Sequence, residues 1–380
     1  MKRSMILEEK SKPRPHLFVR AILLLIGLAV SGPALGLGVE TQITTATGHS
    51  YHPEIYGSRI VWYDDRANST NKSDIYMYDL TTGTERAICT NTADQEYPTI
   101  YGDKIVWMDS RNTGYAADIY LYNLTTSTET RITANTAQQA YPSIYKDKIV
   151  WQDFRNSVNT DIYMYNLTTG TESPVCTNST SSQNNPRIWG NKIVWSDNRN
   201  GNYDIYCYDL SNGTETRITT NSSDQIYPRI QGDKIVWMDY RGGGSFPLDI
   251  YMYDLATGIE SAVSTAAYNQ QYPAIYGDKI VAMDGRDAHT DLYMYDLSDN
   301  SETLILDRIN ANHHIQFPSI YEDAQYTYIV WQDDRNSLSN NEIYLYTVSV
   351  PVPIPEPVTL AGVMLGIGGL IGYARKRRLA

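Results

Sequence analysis

One stretch, YGDKIVWMDSRN at 101–112, returns as YKDKIVWQDFRN at 145–156, WGNKIVWSDNRN at 189–200 and QGDKIVWMDYRG at 231–242. Self-similarity at a fixed period constrains a fold more than any local propensity. Each copy must be one supersecondary unit that buries its apolar faces against its neighbours. Aligned on a Trp-x-Asp-x-Arg core, seven copies centre on Asp64, Asp109, Asp153, Asp197, Asp239, Asp284 and Asp333, a period near 44 residues. Two positions after each aspartate stands an arginine: Arg66, Arg111, Arg155, Arg199, Arg241, Arg286 and Arg335. Six copies carry Trp two positions before the aspartate, and the sixth carries Ala282 instead.

Three other short apolar runs accompany each core. DIYLYNL at 118–124 stands for the run after it, TETRIT at 128–133 for the next, and YPTI at 97–100 for the run before it. Gly-Asp, Lys-Asp and Thr-Thr-Gly turns separate them, and no useful length has helical periodicity. The runs are apolar on both faces, with Ile119 and Leu121 on one and Tyr120 and Tyr122 on the other. Four strands per period, covered on both sides, predict blades of a β-propeller.

The two ends of the repeat array argue against an open solenoid. The last copy stops after its third strand, EIYLYTV at 342–348, whereas VETQIT at 39–44 precedes the first. The expected fold is therefore all-β: a seven-bladed propeller of four-stranded blades, closed by the N-terminal strand at about 39–44. Closure removes the exposed strand edges that an open stack would leave. The array resembles the TolB-type propeller repeat, in which a Pro-containing turn, an apolar strand ending in Asp-x-Arg and an Asp-Ile-Tyr strand recur in each blade. That resemblance implies the fold but leaves function open, since such blades serve periplasmic scaffolds, peptidase accessory domains and polysaccharide lyases.

The segments outside the array read as addresses. A basic stretch, the apolar run from Ala21 to Val30 and small residues up to Gly36 have the layout of a secretory signal peptide over 1–36. The propeller is expected over 37–348, followed by a Pro-rich stalk at 349–357 that ends in Pro355, Glu356 and Pro357. Sixteen uncharged residues, 358–373, then form a short candidate membrane span, and 374–380 a basic cytoplasmic tail. The tail resembles a PEP-CTERM sorting signal, which implies a sortase-type processing enzyme and display at the cell surface. Export makes the seven Asn-x-Ser/Thr sequons, at Asn68, Asn71, Asn123, Asn166, Asn178, Asn212 and Asn221, glycosylation candidates.

Composition narrows the partners. Residues 37–350 carry 21 basic and 40 acidic side chains, which excludes nucleic acid and anionic lipid surfaces. Three cysteines, Cys89, Cys176 and Cys207, are too few and too scattered for a disulfide framework and are expected as buried strand residues. Catalysis needs one asymmetric constellation, so a motif present seven times reads as packing. Asp109 and Arg111 at one strand end, with Asp118 across the hairpin, would lock each blade through charge-assisted bonds. The sequence contains no Gly-x-Ser-x-Gly, His-Glu-x-x-His or phosphate-loop motif.

Functional asymmetry should lie where the repeat breaks. Gln95, Gln139, Gln183, Gln225 and Gln270 recur three residues before the proline and are expected to ring one mouth of the central channel; Ser50 and Ile315 replace them in blades 1 and 7. Five of the six histidines gather at blades 6, 7 and 1: His289, His313, His314, His49 and His52. Imidazoles suit zinc, manganese or iron, so this sector is the candidate metal site, although no cofactor is required by the leading reading. That reading is a non-enzymatic, exported propeller that binds a protein or glycan at the cell surface or builds the envelope. The alternatives are a metal-dependent carbohydrate-active enzyme of polysaccharide-lyase type and a scaffold subunit of an envelope complex.

Overall fold

The computed structural model describes residues 38–350, apart from 67–71, 113–115, 157, 244, 246, 287–289, 308–313 and 338–339. Among the described residues twenty-eight strands form seven antiparallel four-stranded sheets, and the contacts between successive sheets close into a ring, a seven-bladed propeller as the period predicts. In blade 2 the strands run Gln95–Tyr101, Lys104–Asp109, Asp118–Asn123 and Thr128–Arg131 from the axis outward. The seventh blade takes its outer strand from the other end of the chain: Val39–Gln42 pairs antiparallel with Asn340–Ser349, Val39 opposite Thr347. Thr44 then seals the joint, its hydroxyl bonding Glu342 at 2.5 Å.

Burial follows the blade stacking. The second strand of every blade, such as Lys104–Asp109, is buried along nearly its whole length because neighbouring sheets cover both faces. The outer strands Thr128–Arg131 and Thr214–Arg217 are wholly exposed. Six tryptophans of the repeat are the largest fully buried side chains. Cys89, Cys176 and Cys207 are buried and unpaired, as their spacing implies.

The Trp-x-Asp-x-Arg motif is a bolt through each blade. In blade 2 the Trp107 indole donates to Asp109 at 2.9 Å, the Arg111 backbone N–H at 3.0 Å and its Nε at 2.9 Å. The guanidinium lies over the Tyr120 ring, 4.2 Å from its centroid, and its other arm reaches Glu129 on the outer strand at 2.6 Å. The guanidinium–Asp pair, the Tyr ring beneath it and the reach to an outer-strand Glu recur in all seven blades, in the seventh to Glu40 of the N-terminal strand. The indole bond recurs in six blades, and among the described residues the Nε of Arg199, Arg241 and Arg286 makes no bond. Asp109 is wholly buried, so removing its arginine would strand an unpaired charge at a cost of ~3–5 kcal/mol. Contrary to the expected Asp–Arg–Asp lock, Arg111 bonds Asp109 and Glu129 and not Asp118. That carboxylate is taken by Asn112 at 2.9 Å and Arg131 at 2.9 Å, because the outer strand offers a closer cation.

Blade 6 solves the loss of its tryptophan differently. With Ala282 in that place, the Tyr295 hydroxyl moves into the vacated space and donates to Asp284 at 2.9 Å. The corresponding Tyr78, Tyr122, Tyr165, Tyr208, Tyr253 and Tyr346 are only half-buried.

Candidate functional site

Each inner strand contains an X-Pro pair, and proline cannot donate to the strand ladder. The strand answers with a bulge: pairing skips from Glu96 to Thr99 in blade 2 and at the same place in the others. The residue before proline adopts a left-handed backbone, with φ of 48° at His52, 52° at Tyr97, 53° at Tyr141, 55° at Asn185, 54° at Tyr227, 51° at Tyr272 and 51° at Phe317. A bulge re-aims its side chain. These residues line the central cavity instead of a blade interface, and together they form a collar.

The collar is aromatic except at one point. His52 stacks on Phe317 with ring centroids 3.6 Å apart, and Tyr97 meets Tyr141 edge-on at 4.8 Å. On the far side Tyr227, Tyr272 and Phe317 run in series at 5.8 and 4.5 Å. Asn185 interrupts the series between Tyr141 and Tyr227, and Tyr227 beside it is 43% exposed. The two positions without a benzene ring share a support: Gln332 accepts the His52 backbone N–H at 3.1 Å, and Gln152 that of Asn185 at 3.3 Å. A second collar closes the other end of the inner strands. In it Tyr56, Tyr101, Tyr145 and Trp189 follow one another at 4.6–4.7 Å, Tyr276 and Tyr321 pack at 4.8 Å, and Gln231 is the non-aromatic member.

Between the collars, one residue after each proline, the repeat varies between two invariant columns: Glu54, Thr99, Ser143, Arg187, Arg229, Ala274 and Ser319. Three of them carry charge. Glu54 of blade 1 spans the channel to Arg229 of blade 5 at 2.8 Å, and its other oxygen accepts the Ser319 hydroxyl at 3.0 Å. Burial alone would raise the Glu54 carboxyl; Arg229 and Arg187 outweigh it and hold it below its ordinary value. Among the described residues, no hydrogen bond or ion pair reaches the Arg187 guanidinium. Burial, helped by Arg229 and opposed by Glu54, lowers its pKa to about 9. Burial, with the arginines beside it, also lowers His52 to about 3, so this imidazole is neutral. A cavity of about 140 Å³ opens above Arg187 and Arg229 inside the first collar, and one of about 120 Å³ lies below them.

Several residues expected at functional positions sit elsewhere. Gln95, Gln139, Gln183, Gln225 and Gln270 do not ring the mouth. Each is wholly buried and turns its amide back on the preceding loop, as Gln95 does to the Ala93 carbonyl at 2.7 Å. They hold the entry to the inner strand; the channel belongs to residues two and four positions later. Of the histidine sector, His289 and His313 lie outside the described residues. His49 accepts the Asn341 N–H at 3.2 Å, His52 belongs to the collar, and His314 contacts Asp334 at 3.3 Å with its ring 69% exposed. Among the described residues no three His, Cys, Asp or Glu side chains are grouped to hold a metal ion.

The sequons at Asn123, Asn166, Asn178, Asn212 and Asn221 each use the side-chain oxygen to accept a backbone N–H two residues on, the bond of an Asx turn. Asn68, Asn71, the signal segment 1–36 and the tail from 351, including Pro355, Glu356 and Pro357, lie outside the described residues. Among the described residues no helix is long and apolar enough to cross a membrane.

These observations define the chain as a seven-bladed β-propeller with an aromatic, charged central channel. No family model matches it, and no curated protein matches its sequence. Solved structures do match its fold. An oligogalacturonate lyase from Vibrio parahaemolyticus superposes with a TM-score of 0.61 at 11% identity, covering 82% of this chain and 93% of its own. Another oligogalacturonate lyase, in complex with manganese, gives 0.60 at 11% identity over the same shares. The β-propeller domain of the Trilobed protease from Pyrococcus furiosus gives 0.59 at 17% identity, covering 83% and 100%. That domain has an open velcro topology, whereas here the strand at Val39–Gln42 completes the last blade. Likeness at such identities is likeness of fold.

Proposed function

We propose that this protein is an exported, non-enzymatic binding propeller whose ligand enters the central channel through the collar of His52, Tyr97, Tyr141, Asn185, Tyr227, Tyr272 and Phe317. The observation that carries the reading is where the repeat keeps its irregular residues. The seven Asp-x-Arg motifs spend their charges inside their own blades, while the unlike residues His52, Glu54, Asn185, Arg187 and Arg229 line two adjoining cavities of the channel that share His52, Arg187 and Arg229. Aromatic rings around a half-open concave site are the common furniture of ligand recognition. The basic and apolar segment at 1–36, and the tail with its Pro-Glu-Pro and basic end, support display outside the cytoplasm, processed by a sortase-type enzyme. Partners on this reading are a glycan or protein at the cell surface.

Glycan and peptide arrays probed with the purified full-length chain test the reading. Binding that Tyr227→Ala abolishes without unfolding supports it; binding that survives Tyr227→Ala overturns the channel as the site. A second reading, a metal-dependent carbohydrate-active enzyme, draws on one observation: His52 presents a neutral imidazole at the channel wall. Stoichiometric metal in the purified chain, lost in His52→Phe or His49→Phe, decides in its favour.

A further inference from the structure

The charges at the channel waist do not balance. Arg187 and Arg229 face one carboxylate, Glu54, which bonds Arg229 and Ser319 and leaves Arg187 without a partner among the described residues. His52 beside them is neutral. The waist therefore holds one surplus positive charge, in a chain whose formal net charge is −12. A cation set into a protein interior without a counter-charge is costly, and the half-buried Arg187 has only the solvent of the channel to offset it. The Arg229 and Glu54 side chains are 27% and 22% exposed, so the waist is reached from the channel and not sealed off.

The surroundings specify the missing anion further. Above Arg187 the cavity of about 140 Å³ is lined by Tyr97, Tyr141, Tyr227, Tyr272 and Phe317. A cavity of about 150 Å³ accommodates one benzene ring. The one gap in the collar, at Asn185, lies two residues from Arg187 on the same strand, so the opening stands over the unpaired cation. A planar guanidinium suits a planar, two-oxygen acceptor.

We propose that the channel waist binds a single carboxylate on Arg187, and that the collar packs against a flat apolar body carried by that same ligand. This rests on the reading of the channel as the ligand site. A single surplus charge favours a monoanion over phosphate or sulfate, whose second charge would find Arg229 already taken by Glu54. The class is a small monocarboxylate with a planar hydrophobic part, whether free or as the end of a larger molecule.

Benzoate is the probe, titrated into the purified full-length chain by calorimetry, with benzamide as its neutral isostere and inorganic phosphate as the dianion. The expected result is benzoate binding at one site per chain, at least tenfold weaker binding of benzamide, and phosphate weaker than benzoate. Arg187→Gln should weaken benzoate tenfold or more while leaving benzamide unchanged; Arg187→Lys should retain part of the difference. Equal affinity for benzoate and benzamide, tighter binding of phosphate, or undiminished benzoate binding by folded Arg187→Gln overturns the proposal. The wild-type comparison stands even if the Gln variant fails to fold. An array ligand that Tyr227→Ala abolishes, but that benzoate neither competes with nor resembles in its need for Arg187, sinks the carboxylate site and leaves the channel reading intact. Benzoate binding that needs Arg187, alongside array ligands indifferent to Tyr227→Ala, does the reverse.

Discussion

Tyr295→Phe isolates what the missing tryptophan of blade 6 costs. In six blades an indole N–H serves the buried aspartate, and in blade 6 the Tyr295 hydroxyl does so at 2.9 Å. Deleting that oxygen leaves Asp284, itself wholly buried, with Arg286 as its close partner; Ser264 and Gln270 stand at 3.5 Å, the limit of a hydrogen bond. A bond to a charged acceptor is worth ~1.5–3 kcal/mol, and the loss is felt in full when the acceptor cannot turn to water. For a domain of roughly 300 residues, an unfolding entropy of ~2.1 cal/mol/K per residue converts this to a fall in Tm of ~2–5 °C. Tyr253→Phe in blade 5 is the control. Tyr253 is half-buried, and Trp237 already serves Asp239 at 2.9 Å, so that change should stay within ~0.5 kcal/mol of wild type. Scanning calorimetry and urea denaturation of the two variants measure the difference. Equal effects of the two substitutions, or a loss below ~0.5 kcal/mol in Tyr295→Phe, would refute the account of blade 6.

Asp74→Asn should stabilise the protein by ~1–3 kcal/mol at pH 8 and by little at pH 4. Burial, and Asp64 opposite it, raise the Asp74 carboxyl to about 6, so the folded state prefers it protonated; stability falls as pH rises from the unfolded value through 6, and denaturation at the two pH values reads this directly. His52 has the opposite dependence: its folded value of about 3 lies below the ordinary 6.5, so acid protonates the unfolded chain first and stability falls from about pH 6.5 downward. His52→Phe should flatten that part of the profile. Removing the strand at Val39–Gln42 should cost far more than Glu40→Ala, which loses only a half-exposed ion pair with Arg335 worth ~0–1 kcal/mol; limited proteolysis of the truncated chain should cut first within Asn340–Ser349. Cys89, Cys176 and Cys207 should resist thiol reagents until the chain unfolds, since burial raises each to about 12.

Repetition made the architecture legible and hid the site. The period near 44, the double-sided apolar runs and the displaced VETQIT strand follow from packing rules that act on every blade alike, so seven copies state them seven times. The glutamines misled for the same reason. Their recurrence marks a shared structural duty, the backbone bonds of the strand entry, and a shared duty is poor evidence for a site. The collar was illegible because Tyr-Pro in an apolar run reads as an ordinary strand, whereas proline forces a bulge and the bulge turns the preceding side chain to the axis. A signal was nevertheless present one residue further on. Aligning the seven X-Pro pairs puts Glu, Thr, Ser, Arg, Arg, Ala and Ser in one column, next to columns that hold almost nothing but Pro and Ile. In a ring of near-identical blades, the axis is the one place where all seven copies face each other. Unlike residues there can act together across the channel, as Glu54 and Arg229 do from blades 1 and 5, 175 residues apart in sequence. The variable column that faces the axis is thus the column with most to say about ligand, and Arg187, its one charge without a partner among the described residues, is the side chain on which a ligand would be felt first.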